Sequence, residues 1–338
     1  MSLPESQLEV EPIAAEAALN TSGVTAVEGQ SPTQLALARF RRDKLTMTSF
    51  IIVVFYVIAA ILAPILVKLK VIHPNKLDQT LLNVDLGGIP NGHFGGSSWH
   101  HVLGVEPRTG TDMLARLWYG LSFSLEIALT ATVIAVVLGV VLGIISGFSG
   151  GWIDAIIGRI IDLTLSFPQT LMLLALSATG VAFFAEHLPG NTVDPLPNAV
   201  YEVLVLGIFG WPSVARLIRG QVLSIREREF VDAAVLLGAS KSRLYFKEIL
   251  PNLWAPVLVQ FTLIMPAYVS AEAALGFLGV GIKPPTPTIG NILQDSVNFS
   301  GSDFSYFFYP ALLLAIIVVS FNLLGDGMRD ALDPKSDR

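Results

Sequence analysis

Six long apolar segments divide this sequence, and no other feature restricts its fold as strongly. A helix needs about 20 mostly apolar residues to cross the hydrocarbon core of a membrane. The segments run over residues 47–68, 121–147, 158–184, 199–218, 254–279 and 306–326. With 52% hydrophobic and only 14% charged residues, the chain has more apolar surface than a soluble domain of its size could bury. The sequence therefore predicts an all-α integral membrane protein with six transmembrane helices.

The basic residues between these segments predict the orientation. With a cytoplasmic N-terminus, 15 of the 21 lysines and arginines fall on the inner side, as the positive-inside rule favours. These are Arg39, Arg41, Arg42, Lys44, Arg159, Arg216, Arg219, Arg226, Arg228, Lys241, Arg243, Lys247, Arg329, Lys335 and Arg338. Both termini are thus predicted to be cytoplasmic (N-in/C-in). Omitting the fourth span, which Glu202 and Pro212 interrupt, would place the basic cluster after it on the outer side.

The segments outside the spans differ in composition. Residues 1–34 are rich in Glu, Ala, Ser and Thr, and we expect a disordered acidic tail. Residues 35–46 are basic and are predicted to form a cytoplasmic interfacial anchor before a six-span domain over residues 47–338. Within that domain we expect an outer loop over 69–120 and a cytoplasmic loop over 219–252.

Several function classes lack the residues they require. The chain has no cysteine, and its basic residues are spread among short segments instead of forming the clustered surface that nucleic acid needs. A phosphate-binding Gly-x4-Gly-Lys-Ser/Thr loop and a His-Glu-x2-His pair are both missing. The five histidines fall in predicted outer loops without helical ligand spacing. We expect neither nucleic-acid binding, nor nucleotide hydrolysis, nor a bound metal.

The cytoplasmic loop carries the most informative pattern in the chain. Residues 229–251 are typical of a helix, a glycine turn and a second helix that a proline closes. Gly238 is the predicted pivot, because the residue after a helix often takes a positive φ. Ser240 or Ser242 could cap the helix that follows. By itself, this pattern also fits an amphipathic hairpin bound to anionic lipid headgroups.

The motif Asp232-Ala-Ala-x3-Gly238, followed by Leu250-Pro251, resembles the EAA loop of binding-protein-dependent ABC importers. In that family the loop forms a coupling helix that sits in a cleft of the ATPase subunit. Asp232 replaces the usual Glu, and Glu248 stands where Ile is common. The resemblance implies an ATPase contact made by Asp232, Ala233, Ala234, Leu237, Gly238, Ala239 and Ser240.

Further stretches resemble the C-type permease subunit of dipeptide and oligopeptide (and nickel) importers, in order over residues 33–338. The matching stretches are 39–44, His101-x-Leu103-Gly104, Arg116-Leu117-x-Tyr119-Gly120, Gly150-Gly151-Trp152-x-Asp154, Asp162-x4-Phe167-Pro168, 275–287 and 322–334. Glu106 and Thr111 stand where an Asp and an Arg are usual.

This resemblance implies the ABC importer type I permease fold and a transport function. The chain would be a multi-pass protein of the bacterial inner membrane that forms half of a translocation pathway for di- or oligopeptides. Its implied partners are a homologous second permease, two ATPase subunits that bind ATP and Mg²⁺, an external substrate-binding protein, and membrane lipid. The chain itself would be no enzyme and would bind no cofactor. Nickel, haem, glutathione and oligosaccharides remain alternative cargoes.

Acidic residues inside the spans are candidates for function because charge is costly in a membrane. Glu126, Glu202 and Glu272 are predicted near the outer membrane edge, within reach of water or headgroups. Glu272, with Met265 and Tyr268 on the same span, is our candidate for the translocation path. An intramembrane enzyme is a remote alternative, and the sequence shows no paired acid that would support it.

Small residues recur every four positions along the second predicted span. They are Ala131, Ala135, Gly139, Gly143 and Gly147. This spacing puts them on one helix face, where another backbone can approach closely. A sliding face along the pathway and a static packing face are both consistent with the pattern.

Overall fold

A computed structural model describes residues 32–188 and 194–332, and helices account for most of them. The helices are α1 (Pro32–Arg42), α2 (Lys44–Lys68), α3 (Met113–Ser149), α4 (Gly151–Leu165), α5 (Gln169–His187), α6 (Leu196–Arg226), α7 (Glu229–Leu236), α8 (Lys241–Arg243), α9 (Trp254–Phe277), α10 (Ile289–Val297) and α11 (Phe304–Leu332). Two short strands, β1 (Leu82–Asn83) and β2 (Ile89–Pro90), pair antiparallel between α2 and α3.

Six helical segments in the described residues are long and apolar enough to cross a membrane, as the sequence predicts. They are α2, α3, α5, α6, the run of helical turns Lys241–Phe277 that ends in α9, and α11. The first begins three residues before its predicted start, because Asp43 caps it: its carboxylate accepts from the backbone N–H groups of Leu45 (3.0 Å) and Thr46 (3.3 Å).

The third span differs from its predicted range of 158–184. The structure has two helices there, α4 and α5, separated at residues 166–168. Pro168 has no N–H to donate and disfavours helical backbone at Phe167. Only α5 has the length and composition of a span, and it ends at His187, which we had placed in a loop.

The predicted loop boundaries also change. Because Asp112 caps α3, the outer loop ends at residue 112 instead of 120. Residues 219–226 of the predicted cytoplasmic loop belong to α6, so the connecting segment, which we call the 227–253 loop, is shorter. Residues 1–31 of the predicted tail lie outside the described residues, and residues 32–34 already form the start of α1.

The stripe of small residues on α3 is a packing face against α6. A Cβ atom built on Gly143 would lie 2.9 Å from the backbone oxygen of Ala215, and one on Gly147 would lie 2.8 Å from Cβ of Val222. At Gly139 the added atom would overlap with Val214. Since these approaches are closer than any side chain tolerates, the stripe packs within this chain.

An ion pair fixes the segment before α3. Arg116 donates from Nε to Oε1 of the buried Glu106 (2.7 Å), and Thr111 donates its hydroxyl to Oε2 (2.6 Å). Burial raises the pKa of Glu106, and Arg116 opposes that shift. The two departures from the family pattern, Glu106 and Thr111, are therefore bonded to each other.

Candidate functional site

The 227–253 loop folds as its sequence predicts. Helix α7 ends in a Schellman motif, in which the Gly238 N–H bonds to the carbonyl of Val235 (2.9 Å) and the Ala239 N–H to that of Ala234 (3.0 Å). Gly238 takes the predicted positive φ of 77°. Ser240, not Ser242, caps α8 by accepting from the Arg243 N–H (3.4 Å).

Buried aliphatic side chains hold this loop on a fixed base. Val231, Leu244, Ile249 and Leu253 are all buried. Val231, Ile249 and Leu253 join one apolar cluster with residues of α3 and α6, among them Val222. The loop is therefore part of the packed helical body, so a force on α7 would be carried into α3 and α6.

The end of α7 carries apolar side chains that the described chain leaves uncovered. Leu236 and Leu237 are each 88% exposed, Val235 beside them is exposed as well, and so is Phe230 at the start of the helix. Asp232, Ala233, Gly238 and Ser240 are exposed beside them, while Ala234 and Ala239 are partly covered. A compact apolar patch on a rigid helix end is typical of a protein-binding surface.

Two side chains flanking α7, Arg226 at the end of α6 and Tyr245 in the loop, contact the end of α3. Arg226 donates from one guanidinium nitrogen to the carbonyls of Gly147 (3.3 Å) and Phe148 (3.4 Å), which the end of a helix leaves without partners. Tyr245 lies within hydrogen-bond distance of the Ser149 hydroxyl (3.1 Å), and its ring packs edge-on against Phe148 at 5.3 Å. The last residue of α6 and the 227–253 loop thus both contact the end of α3.

Ion pairs join α4 to α6 near the same end. Arg219 forms a two-pronged contact with Asp154, from Nε to Oδ1 (2.6 Å) and from its terminal nitrogen to Oδ2 (2.7 Å). One helical turn away, Arg216 contacts Asp162 at 2.6 Å, where both side chains are largely exposed. The two parallel hydrogen bonds make the Arg219–Asp154 pair stronger than the Arg216–Asp162 pair.

The Asp154 pair should make stability depend on pH in acid. Hydrogen bonds from Arg219, with help from Ser146, lower the pKa of Asp154 from 3.8 to about 2. Because the folded state favours the ionised form, its stabilisation is complete above about pH 4 and disappears as the pH falls towards about 2. We expect wild type to be more stable than Asp154→Asn at neutral pH, and the difference to narrow across that window in thermal unfolding. The exposed Asp85→Asn is the control, and a difference independent of pH would contradict the assignment.

The candidates for the translocation path lie inside the packing of this chain. Tyr268 donates its hydroxyl to the carbonyl of Leu206 on α6 (2.9 Å), and the sulfur of Met265 accepts from Thr132 on α3 (3.8 Å). Both side chains are buried, and Glu272 is completely buried. In this conformation the chain's own helices therefore cover all three.

Of the three intramembrane acids, Glu126 alone is exposed, and its place at the outer membrane edge stays a prediction. Glu202 and Glu272 are 0% exposed, so water and headgroups do not reach them. The turn after α9 brings both carboxyls to one contact between α6 and α9: a Cβ atom on Gly281 would lie 3.0 Å from Oε1 of Glu202 and 2.8 Å from Cα of Gly276, one helical turn after Glu272. Their proximity is a tertiary feature that the spacing of 70 positions along the chain does not reveal.

Models of known protein families match two parts of this chain. Residues 139–338 match the family described as the inner membrane component of binding-protein-dependent transport systems. The chain belongs to this family. Residues 31–83 also match the N-terminal transmembrane domain of oligopeptide transport permease C. The protein is thus a multi-pass membrane protein of the permease class, and the 227–253 loop lies within the matched family region.

Similar curated relatives match most of the chain. The dipeptide transport system permease protein DppC of Alkalihalophilus pseudofirmus is 34% identical over 90% of this chain and 90% of its own length. The oligopeptide transport system permease protein OppC of Bacillus subtilis is 34% identical over 89% and 88%. DppC of Escherichia coli strain K12 is 42% identical over 71% and 75%.

A solved structure supports the fold independently. An inward-facing form of the MetNI methionine ABC transporter matches with a TM-score of 0.51 and 20% identity, over 65% of this chain and 98% of that one. At this identity the likeness concerns the fold, and it confirms the predicted ABC importer permease architecture.

Sequence reasoning did not identify Arg226 and Tyr245. In the sequence, Arg226 is only one of the basic residues that predict the orientation. Tyr245 belongs to no recognisable motif. Their role arises from contacts with α3 at separations of 78 and 96 positions. No local pattern could have shown those contacts.

Proposed function

We propose that this protein is a permease subunit of an ATP-driven importer of di- or oligopeptides in the bacterial inner membrane. The observation that supports this best is the exposed Leu236–Leu237 end of α7 on a rigid base, in a chain whose similar relatives are named as dipeptide and oligopeptide permeases. An external binding protein delivers the peptide, and separate ATPase subunits bind ATP and Mg²⁺. The chain holds no cofactor and performs no hydrolysis.

In this proposal α7 is the coupling helix. Its exposed face, with Asp232, Ala233 and Ala234 beside Leu237 and Gly238, docks in a cleft of the ATPase subunit. Movement of that subunit displaces the loop, and the contacts of Arg226 and Tyr245 with the end of α3 carry the displacement into the membrane. Because α3 and α6 interlock through their small-residue face, they move as one body.

The 227–253 loop and both termini lie on the cytoplasmic side in this proposal. The basic residues of α1 and of the 216–247 stretch support that orientation under the positive-inside rule. The second permease completes the pathway. Glu272, Met265 and Tyr268 would contribute to it only when α9 separates from α3 and α6, since all three are covered in this conformation.

Uptake measurements test the cargo. Cells that express the protein with its partner subunits should import a labelled dipeptide or tetrapeptide, and cells that lack this chain alone should not. Unlabelled peptides should compete with the labelled one, whereas nickel, haem, glutathione and an oligosaccharide should not. Competition by one of the latter four and by no peptide would replace the cargo while keeping the importer. Undiminished uptake without this chain would reject the proposed function.

A further inference from the structure

The buried carboxyls of Glu202 and Glu272 form the least expected feature of the membrane-spanning region. Both residues are 0% exposed, and none of their four carboxyl oxygens has a hydrogen-bond partner among the described residues. A Cβ atom added to Gly281 would lie 3.0 Å from Oε1 of Glu202, so the turn after α9 closes over this carboxyl. Asn198 holds that turn by donating to the Gly281 carbonyl.

Polar groups from two other helices lie at the same end of α9 as Glu272. The hydroxyl of Ser124 on α3 accepts from the Ile289 N–H (3.3 Å), next to Thr288, the cap residue of α10, and a Cβ atom added to Gly290 would lie 2.5 Å from the Ala273 carbonyl oxygen. Ser124 and Thr288 are completely buried. Four helices, α3, α6, α9 and α10, therefore converge on one closed, oxygen-lined position.

No positive charge of the chain compensates this pair within residues 32–188 and 194–332. In this part of the chain neither carboxyl forms a salt bridge, and their four oxygens have no hydrogen-bond partner. An isolated carboxylate in an apolar interior is strongly destabilising, and a second one beside it adds repulsion. The packed arrangement thus requires positive charge from outside the chain.

We propose that Glu202 and Glu272 together bind a small hard cation, a proton or an oxygen-preferring metal ion, sealed between the four helices. Carboxylate and hydroxyl oxygens are the donors that such cations prefer. The site is distinct from the 227–253 loop and goes beyond the proposed function. The bound cation holds α6 and α9 together, and its loss would leave two like charges that push them apart.

The test uses the complete purified transporter in lipid nanodiscs, so its readouts are independent of transport. The variants are Glu202→Gln, Glu272→Gln and the exposed control Glu126→Gln. Infrared difference spectra in H₂O and D₂O detect a protonated carboxylic acid. Thermal unfolding at alkaline pH in choline, sodium, potassium, magnesium or calcium chloride detects a metal ion.

Two results support the site and identify its occupant. A carboxylic acid band that disappears in Glu202→Gln or Glu272→Gln, but persists in Glu126→Gln, assigns a proton. A metal ion is assigned if one metal cation raises the unfolding midpoint of wild type and of Glu126→Gln, but not that of Glu202→Gln or Glu272→Gln. If neither Gln variant assembles, Glu202→Asp takes its place. The absence of both signals in wild type overturns the proposal.

Discussion

Alanine at Gly143 is expected to destabilise the protein strongly, although alanine is the better helix former. The added Cβ would lie 2.9 Å from the Ala215 backbone oxygen and 2.9 Å from Cβ of Ile218, so neighbouring backbone must move. Overpacking of this kind costs about 1–3 kcal/mol per site. We expect a lower thermal unfolding midpoint and less protein in the membrane fraction, with a larger loss when Gly139→Ala is added.

Gly220 on α6 provides the matched control. It lies in a spanning helix, and a Cβ atom there would meet nothing within 4 Å. Gly220→Ala should leave the midpoint unchanged or raise it, since alanine is favoured over glycine in a helix by about 1 kcal/mol. Equal unfolding midpoints for Gly143→Ala and Gly220→Ala would mean that α3 and α6 do not remain packed. The alternative interpretation of the stripe, a sliding face along the pathway, would then be favoured.

The features that the sequence predicted correctly are local ones. Each span is recognisable because about 20 apolar residues suffice to identify it, and six were found. The positive φ of Gly238 and the cap at Ser240 depend on residues within a few positions. The break in the third span also has a local signal, the Phe167-Pro168 pair. Because apolar residues lie on both sides of this pair, the sequence predicted one continuous span there.

The features that the sequence did not predict depend on distant parts of the chain. The stripe on α3 allowed two interpretations until its neighbour α6 was known. Acidic residues near a span end are commonly solvated, and only the turn around Gly281 shows that Glu202 is enclosed. The exposed end of α7 is a third case, because an apolar pair in a loop can be buried or free, and packing decides which.

Charged residues at Leu236 and Leu237 are expected to abolish uptake while the fold persists. Both side chains are 88% exposed, so Leu236→Asp/Leu237→Asp should not alter the unfolding midpoint. Burial of a leucine contributes about 1.5–3 kcal/mol to an interface, and a buried unpaired carboxylate costs more. Binding of the ATPase subunit, measured by co-purification, should weaken at least about 100-fold, and peptide uptake should fall with it.

Val84→Asp, a substitution at an 81% exposed residue between β1 and β2, should change neither ATPase binding nor uptake. Normal co-purification of the double variant would place the ATPase contact elsewhere on the chain.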